Sequence, residues 1–423
     1  MSRRRCDTVI VGGGIIGLAL GLDLTLRGRQ VTLIDRDEPA SGCSAGNAGY
    51  LSQGGIFPIA SFETFRQLPR LLLDQASPLS IRLSHLPRLV PWGMQLLAAC
   101  KPGKARRAMQ ALAALTEPSV QSYAPLLKAG GAEDLIDTCG GLHVFKKPRS
   151  AETLTALIDT YDRLGISAEH LDGHTLREFE PALSPTLAGA LHFPGSARCL
   201  DPRELGQRFA ENITARGGII LRGAVRAIRP GSDGGWSLAT EHGEMEAENT
   251  VIAAGRWSDE LMRPLGYRVP LEAERGYHLM LPSPDVRLNH PLIATDHQFA
   301  ITPMAAGIRL AGTVEFAGRR ATPNFARADM LLPQAQSILP ELQGAGATRW
   351  MGHRPSLPDS LPAIGAGSEP GLYYAFGHQH CGLTLAAVTA KLLGDLMSGR
   401  EPDIDLTPFD ITRFGRSRPT RIN

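Results

Sequence analysis

No apolar run in the 423 residues reaches the roughly 18 that a bilayer-spanning helix needs, so no transmembrane helix is predicted. Charge of one sign is also missing. Forty-four Lys and Arg against 42 Asp and Glu leave a formal charge of +2, too balanced for a nucleic-acid binder. Aromatic residues make up only 6%, and nothing resembles a base-stacking platform. The six cysteines, Cys6, Cys43, Cys100, Cys139, Cys199 and Cys381, are scattered, with no C-x-x-C pair and no histidine-rich partner at zinc spacing. That usage predicts reduced thiols, no metal site and a cytoplasmic compartment. No internal repeat or low-complexity tract is present. The basic start Met1–Arg5 imitates a signal peptide, but Gly12, Gly13, Gly14 and Gly17 break the apolar stretch behind it. What remains is an ordinary globular composition, 43% hydrophobic and 20% charged, long enough for two or three lobes.

The first fifty residues are more specific. Asp7–Val11 is a β-branched run that reads as a buried parallel strand. Gly12, Gly14 and Gly17 then match G-x-G-x-x-G, an apolar helix pattern follows from Leu18 to Leu26, and a second strand, Gln30–Ile34, ends at Asp35. Strand, glycines, helix, strand and acid in this order form a dinucleotide-binding βαβ unit. Gly12 permits the tight turn, Gly14 lets a pyrophosphate approach the backbone, and Gly17 lets helix and strand pack closely. The helix N-terminus offers free N–H groups and the positive end of its dipole, and Asp35 can accept hydrogen bonds from a ribose. A second small-residue segment, Ser41-Gly42-Cys43-Ser44-Ala45-Gly46-Asn47-Ala48-Gly49, follows. It is either a flexible surface loop or a second wall for a long cofactor. NAD needs no such wall, whereas FAD has a ribityl chain and an isoalloxazine to hold.

Of these, Gly12–Gly17, Asp35 and Ser44–Gly49 resemble the D-amino acid oxidase-like superfamily of FAD oxidoreductases, most closely its bacterial D-amino acid dehydrogenase and D-hydroxyproline dehydrogenase branch. The likeness covers most of the chain, because later segments fall in the family's order. It implies an α/β plus α+β fold: a Rossmann-type FAD-binding domain from residues 1–55, 198–270 and 347–405, and a discontinuous antiparallel-sheet substrate domain from 56–197 and 271–346 with a helical insertion. Residues 406–423 are then a C-terminal tail whose last dozen residues are loose. The resemblance adds Ile15, Ile16 and Arg36 to the FAD contacts, assigns adenine to the backbone of Val225, and brings Ala254, Gly255 and Trp257 to the flavin at a strand end. Gly377, His378, Gly382, Leu383 and Thr384 close the cofactor site, where N–H groups at a helix start meet the negative charge that develops near flavin N1 and C2=O. No cysteine stands near Pro358-Asp359, where the sarcosine-oxidase branch attaches its flavin, so FAD is expected to be noncovalent.

Further along, Asp201-Pro202 reads as a capped helix start, Trp236–Thr240 and Glu244–Ala247 as a hairpin, and Gly276–Leu281, Phe299–Thr302 and Ile308–Val314 as antiparallel strands. The stretch 57–129 reads as helical pieces broken at Pro69, Pro78, Pro87, Pro91, Pro102 and Pro118. Of these, Pro78–Leu97 either covers the substrate lobe or touches a membrane surface from the cytoplasmic side.

Oxidation of a C–N bond by flavin needs the amine unprotonated, its carbon near N5, and a group to hold the carboxylate. A planar guanidinium suits that last task. Arg354, in Gly352-His353-Arg354-Pro355, matches the family's carboxylate-binding arginine. Tyr277, after an Arg-Gly pair, either bonds the substrate or packs. His297 and Phe299 start the β run where relatives place substrate-contacting aromatics. His353 and His378 are candidate bases or structural histidines, and Asn47 and Tyr50 follow the flavin-side turn. The expected activity is dehydrogenation of a D-amino acid, with proline or hydroxyproline among the candidates and a quinone or other respiratory acceptor. The rivals are a glycine or sarcosine oxidase, a flavin subunit of a larger dehydrogenase, and a NAD enzyme, which would be colourless.

Overall fold

The computed structural model describes residues 5–59, 77–231, 234–282 and 285–416. Arg5–Val11 lies at the centre of a parallel sheet, flanked by Val31–Asp35 on one side and Gly243–Ile252 on the other. Ile219–Arg222 extends the sheet beyond Val31–Asp35, and Leu372–Phe376 extends it beyond Gly243–Ile252. The strand order therefore reverses beside Arg5–Val11, which opens a crevice at the carboxyl ends of the strands. The helix Ile15–Leu26 is apolar on nearly all sides because it is enclosed by Gly382–Met397 and Pro202–Ala215. The latter helix starts as read: the Asp201 carboxylate accepts from the N–H groups of Arg203 at 2.9 Å and Glu204 at 3.1 Å.

The second sheet runs Thr348–Ser356, Glu272–Leu281, Gly307–Phe316, Phe299–Met304, Leu292–Ala294, Gly141–Phe145, Gly189–Phe193 and Glu169–Asp172. Period-two alternation decides what each residue of Glu272–Leu281 can do. Tyr277, Leu279 and Leu281 pack with Ala328, Leu331 and Ala335 on the outer face. Glu274, Gly276 and His278 face the nucleotide lobe.

Three boundaries differ from the sequence reading. Thr348–Ser356, expected among the FAD-binding segments, pairs from Thr348 to Ser356 with the strand starting at Glu272, so the chain crosses between lobes after it. The insertion is not confined to the substrate lobe: Tyr123, Leu126, Leu127 and Leu135 belong to the core around Ile15–Leu26, because they cover apolar surface the sheet leaves open. The tail is docked as far as Arg416. Phe409 and Ile411 are fully buried, and Arg413 is paired with Asp359 at 2.7 Å. Within Pro78–Leu97, Leu79–Ile81 is a short strand beside Val314–Phe316 and the helix runs Leu86–Ala99. Pro69 and the last seven residues lie outside the described residues.

Candidate active site

The glycine fingerprint is fixed by backbone contacts. Gly12 has φ +124°, and a Cβ there would lie 2.3 Å from the carbonyl oxygen of Ala253. At Gly17 a Cβ would lie 2.0 Å from the carbonyl oxygen of Gly12. Gly14 is different: a Cβ there would meet only the Ser44 hydroxyl, at 3.4 Å, so its surface stays open above the helix N-terminus. Ser44 Oγ accepts from the N–H of Ile15 at 2.9 Å, and Asp35 accepts from the N–H groups of Gly13 at 2.6 Å and Asp37 at 3.0 Å.

From this point a cavity of about 650 Å³ runs in both directions. Its walls include Asp35, Arg36, Glu38 and Val225, Ala254, Gly255 and Trp257, and Gly377, Gly382, Leu383 and the segment Trp350–His353. An acid, a helix start left open above Gly14 and a second helix start at Gly382, all on the walls of one cavity, fit an extended dinucleotide such as FAD. Ile15, Ile16, Ser44, Asn47 and His378 also line the cavity. Thr384 does not: its buried hydroxyl donates to the carbonyl of Tyr50 at 3.4 Å.

Ser44–Gly49 is a clamped loop. Arg309 reaches out of the second sheet and donates from Nη1 to the carbonyls of Ala45 at 2.9 Å and Asn47 at 2.5 Å. His278 Nδ1 bonds the Gly46 carbonyl at 3.1 Å, with Trp350 stacked on its ring at 4.9 Å. A Cβ on Gly46 would lie 2.1 Å from that indole. Asn47 takes the N–H of Gly49 at 2.9 Å and donates to the His380 carbonyl at 3.3 Å. The sequence reading passed over Arg309, His278 and Trp350. The available signal was a cation between Ile308 and Leu310 in a buried β run, which needs acceptors somewhere.

Arg354 lies flat on Gly276, where a Cβ would be 2.4 Å from the guanidinium. Nη1 donates to Glu274 at 2.7 Å and to the Thr313 carbonyl at 3.1 Å, and Nη2 to the Gly312 carbonyl at 3.4 Å. Thr313 is turned to φ 55° in a bulge, which aims its carbonyl at the arginine. Ser356 donates to the other oxygen of Glu274 at 2.8 Å. Of five guanidinium N–H groups, Nε–H and one Nη2–H are left without a partner among the described residues. Nε and Nη2 share one edge of the guanidinium, the edge whose spacing a carboxylate accepts.

Of the other candidates, His353 and His378 also border the cavity. Tyr277 faces the outer core, donating to Glu315 at 2.5 Å and accepting from the Asn324 N–H at 3.0 Å. His378 is buried behind its turn against the Thr389 hydroxyl at 3.1 Å. His353 points to the opposite side of its strand from Arg354, and its carbonyl accepts from Cys43 at 2.8 Å. His297 sits in the turn before Phe299 and makes none of these bonds. The Tyr50 hydroxyl is buried against Gly141.

Burial holds His278 and His378 down to about 3, and His143 and His353 to about 4, from an ordinary 6.5. The unfolded chain therefore takes up protons first as pH falls. Stability from these groups is complete above 6.5 and is lost between 6.5 and about 3–4. The thermal midpoint is expected to drop between pH 7.5 and pH 5, and His378→Gln is expected to flatten the slope. A midpoint unchanged over that range would contradict the account.

Known proteins resemble this chain along nearly its whole length. The family described as FAD dependent oxidoreductase matches residues 7–396. A D-amino-acid oxidase of Bradyrhizobium diazoefficiens is 33% identical over 96% of this chain and 98% of its own. A D-amino acid dehydrogenase of Rhizobium johnstonii is 28% identical over 96% and 99%. Among solved structures, glycine oxidase from Geobacillus kaustophilus superposes with a TM-score of 0.73 at 26% identity, covering 97% of this chain and 99% of that one.

Proposed function

The chain belongs to the FAD dependent oxidoreductase family and is an FAD-dependent amino acid oxidoreductase, and from that premise we propose that its substrate is a D-amino acid, D-proline or D-hydroxyproline among them. The observation that carries this reading is the free Nε/Nη2 fork of Arg354, held flat on Gly276 by Glu274 and two backbone carbonyls. The fork takes the carboxylate through two parallel hydrogen bonds, which fixes the α-carbon in one plane. Glu274 keeps the guanidinium from swinging and leaves the site with little net positive charge, so a zwitterionic amino acid is preferred to a simple anion. FAD, when bound, supplies the hydride acceptor for the C–H bond beside the nitrogen. The helix starting at Gly382 turns the positive end of its dipole to the same end of the cavity. The imine leaves and hydrolyses in solution. Binding of FAD is noncovalent, since the sequence around Pro358-Asp359 holds no cysteine.

Electrons pass to a quinone or another respiratory acceptor at the inner face of a membrane. Leu83, Leu86, Val90, Met94 and Leu97 recur at helical spacing and are 85, 43, 50, 62 and 42% exposed. From residue 77 to 116 there is no Asp or Glu, while Arg88, Lys101, Lys104, Arg106 and Arg107 are present. An apolar stripe bordered by cations suits an anionic lipid surface. The expected result is cosedimentation with phosphatidylglycerol vesicles, reduced at least about tenfold in Leu83→Asp/Met94→Asp with dye-coupled turnover unchanged. Equal vesicle binding by both proteins would remove the membrane from the reading.

A second reading, an oxidase of the glycine or sarcosine type that uses oxygen, is favoured by the likeness to glycine oxidase. Dye reduction and peroxide release, compared over D-amino acids, glycine and sarcosine, separate the two. Dye reduction with D-amino acids and little peroxide supports the first; peroxide released at the rate of turnover supports the second.

A further inference from the structure

The geometry points to Arg256 as the cation that neutralises the pyrophosphate of FAD. This assignment rests on the FAD reading and goes beyond the helix N-terminus that the fingerprint already provides. Arg256 opens the turn between Gly243–Ile252 and Ser258–Met262, and it lines the same cavity as Gly12, Gly13 and Gly14. Its Nε and Nη1 are buried, and among the described residues neither has a hydrogen-bond partner. The guanidinium stacks on one face of Trp257, 3.6 Å from the ring centroid, and Arg36 stacks on the other at 3.7 Å.

The carboxylates nearby are already engaged. Asp259 binds Arg319 at 2.7 Å and Arg263 at 3.1 Å, and Glu260 also binds Arg319. Burial, with Arg319 and Arg36 close by, brings Arg256 down to about 10, so it remains charged at neutral pH. A half-buried cation with no counter-ion among the described residues, set among other cations, is costly unless an anion arrives. The pyrophosphate is the one anionic group of FAD, and the groove that holds FAD is the space Arg256 faces. The helix end alone offers less than it could, because the Ser44 hydroxyl has already taken the N–H of Ile15. A planar guanidinium, stacked on the Trp257 ring and itself part of the cavity lining, supplies donors at fixed angle to the phosphate oxygens.

The test dilutes purified holoenzyme and follows released FAD by its fluorescence, with riboflavin binding to the stripped protein as the phosphate-free control. Arg256→Met is expected to raise the FAD dissociation constant about tenfold to a hundredfold, to leave riboflavin binding unchanged, and to reduce the promotion of FAD release by added inorganic pyrophosphate. Arg256→Lys is expected to fall between the two. FAD retention by Arg256→Met equal to wild type would overturn the assignment, as would equal losses for FAD and riboflavin, which mark a purely structural role. Wild-type protein that retained no flavin would overturn the FAD reading and this assignment with it.

Discussion

Arg354→Met is expected to retain FAD and lose at least about a hundredfold in kcat/KM, most of it through KM. Two charge-assisted hydrogen bonds of roughly 1.5–3 kcal/mol each are removed, and they hold the substrate before and during the reaction alike. The substitution has a second effect, because Glu274 is 4% exposed and loses its cation. An uncompensated buried carboxylate costs about 3–5 kcal/mol, so the single variant melts earlier than wild type. The double variant Arg354→Met/Glu274→Gln separates the two effects: it is expected to recover most of the stability and none of the activity. Arg354→Lys keeps the charge but not the fork, and is expected to lose roughly tenfold or more. Steady-state kinetics over D-amino acids, with flavin content and thermal melting on each variant, check all three. Wild-type KM in Arg354→Met would remove the carboxylate role.

The fingerprint glycines yield the second large effect, and they differ from one another. Gly17→Ala forces a Cβ to within 2.0 Å of a backbone oxygen, so helix and strand must separate. Alanine's better helix propensity, worth about 1 kcal/mol, is outweighed by an overpacking cost of about 3 kcal/mol or more. Gly17→Ala is expected to be colourless and strongly destabilised. Gly14→Ala has room, with only Ser44 Oγ at 3.4 Å, and is expected to fold normally. Its methyl group lies where the pyrophosphate approaches, so FAD affinity should fall about tenfold or more while the melting temperature of the stripped protein is unchanged. The ratio of visible to ultraviolet absorbance, with a melting curve for each variant, is the measurement. Equal behaviour of the two variants would contradict the different roles assigned to them.

What was legible in the sequence was local. The fingerprint, Asp35, the Asp201 cap and the hairpin at His242-Gly243 each depend on residues within one βαβ unit or one turn, where spacing and chemistry decide the conformation. Arg354 was legible through its Gly-His-Arg-Pro setting. Tyr277 shows the limit. Once Gly276 is known to lie under Arg354, alternation sends Tyr277 to the opposite face, but that needs the register of Glu272–Leu281 against Thr348–Ser356, separated by some seventy residues. Arg309 and Arg256 were missed for the same reason. Their partners, the carbonyls of Ala45 and Asn47 for one and the groove for the other, come from parts of the chain that only the tertiary fold brings near.

The most direct test is an anaerobic titration of the purified protein, following its visible flavin band as matched D- and L-forms of proline, hydroxyproline and alanine, and then glycine, are added. The account predicts a flavin band as isolated and bleaching by D-amino acids, with the L-forms and glycine leaving it intact. Protein whose band only glycine or the L-forms bleach, or which carries no flavin band, would contradict it.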